Sequence, residues 1–244
     1  MKINNMSQFI KNLSGRIGPG IYAGVQGQSS PQHQSFLRQL EKELKEKDNL
    51  DSPLDSLETV VFDLETTGFF PEKGDRIISI GAVKMHGSNI IEKETFYSLI
   101  QSDVPLSKEV FELTKITYDQ LADAPPADEV LVDFLRFIGS RVLVAHHSKH
   151  EQSFMKKIIW DVMRTRFQHR IVDTSFLIRV SDPMMKSMAL DEICLKCGIE
   201  IKDRHHALGD AIMTAKVWSC YIGIAKKAGF YCLRDVYEHL AKFR

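Results

Sequence analysis

The sequence predicts an α/β domain: a mixed sheet with an antiparallel meander, flanked by helices. Three observations carry this. "TVVFDLE", residues 59–65, is a short apolar run of strand length. "RIISIGAVKMHGSNIIEKETFYSLI" divides at Gly87, Ser88 and Asn89 into two strand-like halves joined by a turn. Beyond Asp128, strand-like runs alternate with helical ones, so helices are expected to cover a sheet that has an antiparallel edge.

The elements follow in order. "SGRIGPGIYAGVQGQSSPQHQ" is rich in Gly, Ser, Gln and Pro and reads as loop; its glycines have no preceding strand and fit no phosphate-binding spacing. Phe36, Leu37, Leu40 and Leu44 then recur at helical spacing among Glu and Lys, predicting an amphipathic helix that docks on the domain or on a partner. A polar stretch containing Pro53 follows as linker, so residues 1–55 are taken as an extension and 56–244 as the main domain. After the strand at 59–65 and the meander, helices are predicted at Ser107–Leu113 and Asp128–Ile138, the second with an acidic first turn. "RVLVAHH" reads as a buried strand, "EQSFMKKIIWDVMRTRF" as a helix and "HRIVDTSFLI" as a further strand. "MALDEICLKCGI" and "ALGDAIMTAKVWSCYIGIAKKAG" complete the set as helices stopped by Gly198 and Gly229. Trp160 and Trp218 occupy helical positions and are expected in the core.

Composition excludes several classes. The 244 residues are 43% hydrophobic and 26% charged, an ordinary globular balance. No apolar run approaches the ~20 residues that span a bilayer, and the first residues lack the apolar stretch of a secretory signal. Four cysteines are too few for a disulfide scaffold, so reduced thiols and the cytoplasm are expected. Lys plus Arg and Asp plus Glu are 32 each, which gives no global electrostatic argument for a nucleic-acid coat protein.

Asp63 and Glu65 break the apolar run. Residues two apart on a strand share a face, so two carboxylates would lie side by side where burial penalises both. A cation or a retained proton is required. "HHALGDA" supplies His205 and Asp210 at the head of an apolar helix. Five residues turn an ideal helix through about 140°, so both reach one site if His205 sits in the loop before the helix. "LVAHHSKHEQSFM" places Glu151 at or near a helix start. Acids at strand ends and helix starts, with a histidine on a loop, fit a two-metal phosphoryl-transfer site, and oxygen-only ligation favours Mg²⁺ or Mn²⁺ over zinc.

"FDLETTG", "VAHHSKHEQSF" and "HHALGDA" resemble, in order and spacing, the three motifs of the DnaQ-like (DEDDh) 3′ to 5′ exonucleases, the family of bacterial proofreading epsilon subunits. The resemblance covers roughly residues 57–229. It implies a ribonuclease H-like fold and release of nucleoside 5′-monophosphates from nucleic-acid 3′ ends. It further implies that Asp63, Glu65, Glu151 and Asp210 hold the metal pair and that His205 is the general base. Leu64, Thr66, Thr67 and His146 fall where the family meets substrate: the two threonines are expected to shape the turn and offer backbone N–H groups. Phe69 and Phe70, like Leu64, are placed to stack on the last base.

The second motif departs from the family, which has Phe-Asp where this chain has His150 and Glu151. The longer acid raises an alternative, a catalytically weakened binding or scaffold domain. His146, His147 and His150 also offer a minor transition-metal reading. "CLKC" has no second cysteine pair and is expected to pack, Asp173 matches a structural position, and Lys156 and Lys157 are expected on a solvated face. Expected partners are single-stranded or 3′-end nucleic acid, DNA ahead of RNA, and a polymerase or repair complex met through residues 1–55. No membrane is expected.

Overall fold

In the computed structural model, residues 31–47, 49–185 and 188–243 are described. Most of the glycine-rich stretch lies outside these residues. Its last residues do not form loop: Pro31 opens helix α1 (Pro31–Glu46). The elements that follow are β1 (Glu58–Thr66), β2 (Ile77–His86), β3 (Asn89–Leu99), α2 (Lys108–Thr114), α3 (Tyr118–Ala122), α4 (Ala127–Ile138), β4 (Val142–Ala145), α5 (Lys149–Met163), β5 (Ile171–Asp173), α6 (Ser175–Ser181), α7 (Leu190–Lys196), α8 (Ala207–Lys227) and α9 (Leu233–Ala241).

The five strands form one sheet in the order β3-β2-β1-β4-β5. β1 pairs antiparallel with β2 and parallel with β4, so the expected mixed sheet with an antiparallel meander is what forms. Alternation along β1 divides two cores. Val60, Phe62 and Leu64 face α4 and α5, whereas Val61 faces the α6 to α9 side. Asp63 and Glu65 have the parity of Val61 and therefore open toward α8.

α1 docks on the domain. Leu40 is buried, and Phe36, Leu37 and Leu44 pack beside it against the α4–α5 core, while Glu41 accepts a 2.9 Å hydrogen bond from Gln168.

Three elements differ from expectation; the first is α3, an unanticipated short helix that Thr117 caps by accepting the Gln120 N–H. The strand predicted over "HRIVDTSFLI" is three residues long and gives way to α6, because Asp173 accepts the backbone N–H of Ser175 and ends the strand. Leu177, Ile178 and Val180 then bury at helical spacing. α9 was not anticipated; Asp235 accepts the N–H groups of Tyr231 and Cys232 at its start, and Leu233, Val236 and Leu240 bury one face. Trp218 is in the core as expected, but Trp160 is half exposed, on the outer side of α5. Among the described residues no helix is long and apolar enough to cross a membrane.

Candidate active site

β1 presents Asp63 and Glu65, and the first turn of α8 presents Asp210. One carboxylate oxygen from each of the three lies within 4.8 Å of the others. The close approach of α8 to the sheet depends on Gly81. This residue pairs with Asp63 across the β1–β2 ladder, and a Cβ built on it would lie 2.1 Å from the Leu208 nitrogen and 2.2 Å from the Ala207 carbonyl carbon. A hydrogen atom in place of a side chain is what seats the helix start beside the acids.

The site is short of positive charge. Burial, then the charges of Glu151, Asp210 and Glu65, push the Asp63 carboxyl well above its ordinary range. Burial, reinforced by Asp210, pushes Glu65 up to about 7. Glu151, almost wholly buried in the first turn of α5, is pushed up to about 8, mainly by burial. Asp210 is raised by burial despite the opposing Arg204 guanidinium. Two buried oxygens, Asp210 Oδ1 and Glu151 Oε2, have no hydrogen-bond partner. Such atoms are costly unless something outside the chain satisfies them. An all-oxygen set with unsatisfied lone pairs suits a hard divalent cation. Glu151 faces Asp63 electrostatically but stands outside the close trio.

Arg204 bridges Asp191 and Asp210, and the backbone N–H of His205 donates to Asp210 Oδ2 at 3.2 Å. His205 lies in the loop before α8, as expected, half-buried and with φ of 60°. That left-handed backbone costs a side-chain-bearing residue on the order of 1 kcal/mol, and the bond to Asp210 holds it. His206 has a role that the sequence did not suggest: its Nδ1 accepts the Gly209 N–H as the cap of α8, and its ring stacks on Tyr97 with centroids 4.4 Å apart.

The four residues expected to meet substrate divide. Leu64 is buried among the α4–α5 core because strand alternation turns it away from the acids, so it does not line the site. His146 is also internal: Nδ1 pairs with Thr174 Oγ1 at 2.7 Å and Nε2 with the Met188 carbonyl at 3.0 Å, which leaves neither nitrogen for substrate. Burial pushes its pKa down to about 4. Thr66 and Thr67 shape the turn, with Thr66 Oγ1 donating to the Gly68 carbonyl and Thr67 Oγ1 accepting from Arg76 N. The Thr67 N–H is spent on the Arg76 carbonyl at 2.9 Å rather than offered to a ligand. His150 sits between Phe69 and Phe154 with Nε2 3.4 Å from Thr66 Oγ1, and no histidine joins the metal-compatible group found among the described residues. Asp173 is structural, accepting the backbone N–H of Ser148 and of Ser175.

Sequence reasoning missed Gly81, Arg204, His206 and Tyr97. A lone glycine inside a strand-like run was a usable signal for the first; the Arg204–Asp191 pair and the stacking of Tyr97 on His206 join separate segments, whereas the His206 cap reaches only to Gly209.

Known proteins share the family and the fold. Residues 60–218 match the family described as RNase T, exonuclease. The chain is 34% identical to the DNA polymerase III subunit epsilon of Aquifex aeolicus, over 81% of this chain and 93% of that one. It is 38% identical to the PolC-type DNA polymerase III of Clostridium perfringens over 66% of this chain, but spans only 11% of that polymerase. A solved 3′-exonuclease, whose structure concerns recognition of the histone mRNA stem-loop 3′ end, superposes with a TM-score of 0.59. That match has 21% identity and covers 78% of this chain and 71% of the other, which shows a common ribonuclease H-like fold.

Proposed function

The chain belongs to the exonuclease family that matches residues 60–218, and from that membership we propose that it removes nucleotides from nucleic-acid 3′ ends, releasing nucleoside 5′-monophosphates. The observation that carries this is the carboxylate cluster of Asp63, Glu65 and Asp210, with the unsatisfied buried Oδ1 of Asp210 within it. These three acids and Glu151 would hold Mg²⁺ or Mn²⁺. When bound, the ions supply positive charge at the scissile phosphate and lower the pKa of water.

The chain's own groups do the rest. His205, on its loop beside Asp210, takes the proton of the attacking water, a role suited to an imidazole whose ordinary pKa of about 6.5 lies near neutrality. Water adds to phosphorus as the 3′ oxygen of the penultimate nucleotide departs. The Asp210 bond to the His205 N–H fixes the base relative to the acids. Phe69 and Phe70 stand exposed at the rim, where a terminal base would stack.

DNA is the proposed substrate, because the relatives compared above bear DNA polymerase names. Residues 1–55 are proposed as an extension to a catalytic domain of 56–244, with α1 resting on that domain and its outer face left for a polymerase or repair partner. The cytoplasm is the proposed compartment. The weakened-domain alternative rests on the longer acid, Glu151, in the second motif; it has less support, because Glu151 keeps its burial and its electrostatic reach to Asp63.

The test is digestion of 5′-labelled single-stranded DNA, 3′-recessed duplex and short RNA with Mg²⁺, Mn²⁺ or EDTA. Metal-dependent laddering from the 3′ end, absent in Asp63→Ala, is expected. No cleavage by the parent with recovery in Glu151→Asp would transfer the case to the weakened domain.

A further inference from the structure

We propose that the outward face of α5, with the turn after β1, is a track for the nucleotides that precede the 3′ terminus; this rests on the exonuclease function proposed above. The net charge of the chain is zero and its centre is acidic, so the affinity for a polyanion must come from local cations close to the cluster. An open groove of about 470 Å³ meets that need. It runs between the Phe69–Lys73 turn and α5, and Lys73, Lys149 and Lys156 line it, with Glu72 the one acid.

Phe69 links the groove to the second motif. Phe69 packs edge-on against His150, the neighbour of Glu151, with ring centroids 5.9 Å apart. Phe69 and Phe70 are 77% and 56% exposed, and Lys73 Nζ sits 4.4 Å above the Phe70 ring. At 100° per residue, Lys149, Lys156 and Trp160 fall within about 40° of one another on α5. Trp160 is 51% exposed, although a tryptophan on an amphipathic helix is ordinarily core. Lys157, one position round, is held by Asp161 at 2.5 Å and does not join the stripe.

From Lys149 to Trp160 the stripe extends about 16 Å, and the two lysines stand about 10 Å apart. Along one strand phosphates recur about every 3.4 Å when bases stack, so both lysines can engage one strand with Trp160 as a base platform beyond them. Aromatic surface interleaved with lysine is the chemistry of single-strand recognition, in which bases stack and phosphates pair. The occupant is therefore a single strand of several nucleotides.

The test is fluorescence anisotropy on the full chain with 5′-fluorescein, phosphorothioate-linked dT4 and dT12, in Ca²⁺, across a salt series. The parent should bind dT12 more tightly than dT4. Lys149→Gln with Lys156→Gln should flatten the slope of log affinity against log salt by about 1.4, two phosphate contacts of about 0.7 each. Lys149→Arg with Lys156→Arg should keep the parent's slope, and Lys42→Gln, on α1, should leave it unchanged. Trp160→Ala should cut the dT12 advantage by about 5- to 150-fold. Matching melting temperatures check that these exposed substitutions leave the fold intact. If the parent digests 3′ ends while the variants keep its slope and length preference, the track is wrong and the nuclease function stands. If the parent neither binds this dT12 nor digests phosphodiester-linked dT12 in Mg²⁺ or Mn²⁺, both fall.

Discussion

Replacing Gly81 with alanine adds a methyl group where there is no room for one. The new carbon would lie 2.1 Å from the Leu208 nitrogen and 2.2 Å from the Ala207 carbonyl carbon, both backbone atoms, whereas ordinary contact starts at 3.4 Å. The start of α8 must retreat by roughly 3.4 − 2.1 = 1.3 Å, or the sheet must yield by as much. The rest of α8 cannot follow easily, since Trp218, Ile222 and Ala225 anchor it in the core. The first turn therefore bends away and takes Asp210 with it. A displacement of about 1 Å in a catalytic arrangement costs on the order of 100-fold in rate, whereas overpacking costs about 1–3 kcal/mol in stability, which leaves the protein folded. Single-turnover hydrolysis of 5′-labelled dT12 at saturating Mg²⁺ should slow by about 100-fold, and calorimetric titration should show weaker Mn²⁺ binding. Gly223→Ala is the control: nothing lies within 4 Å of the new carbon, so that variant should melt at or above the parent temperature. Parental rate and Mn²⁺ affinity in Gly81→Ala would refute the view that this glycine sets the position of Asp210.

Other outcomes follow from the charge of the site. Glu65 and Glu151 titrate near 7 and 8 in the folded, metal-free protein, above their ordinary value of 4.5, so the folded state binds more protons. Stability in EDTA should be greatest near pH 5 and decline by a few kcal/mol as pH rises to about 8, while added Mg²⁺ should raise the melting temperature more at pH 8 than at pH 6. Glu151→Gln removes a charge that opposes ionisation of Asp63, so its EDTA melting temperature at pH 8 should exceed the parent's even as its hydrolysis rate falls. Arg204→Ala strips Asp210 of its cation: melting in EDTA should drop by ~1–3 kcal/mol equivalent, and the gain in melting temperature on adding Mn²⁺ should exceed that of the parent. Leu40→Ala should loosen α1, read as faster limited proteolysis within residues 31–46 with the remaining domain intact.

The sheet was legible because period-two alternation and the Gly87-Ser88 turn are local signals. Asp63, Glu65 and Asp210 were legible because acids interrupting apolar runs have few inexpensive explanations. Leu64 and His146 were misplaced for a shared reason: proximity in sequence to a clustered acid says nothing about which face a side chain occupies. Leu64 alternates into the opposite core, and His146 finds Thr174 and the Met188 carbonyl from elements that follow much later. The strand over "HRIVDTSFLI" was overextended because β-branched and aromatic residues suit both a strand and a buried helix; the carboxylate of Asp173 decides where one ends. The Arg204 bridge had no local signature at all, since it exists only once α7 and α8 meet.

The sheet order places β1 in the middle, paired with β4 over Thr59–Val61 and with β2 along its whole length, and Asp63 and Glu65 ride on that strand. His205 rides on a loop whose backbone is held in the left-handed region by one carboxylate. The two halves of the proposed chemistry should therefore differ in amide hydrogen exchange: Phe62 to Leu64 should open only with global unfolding, and the loop at 203–206 through local opening. On heating, the His205 loop should lose its register while the acids still stand in place, so heat should silence the proposed hydrolysis before the domain melts.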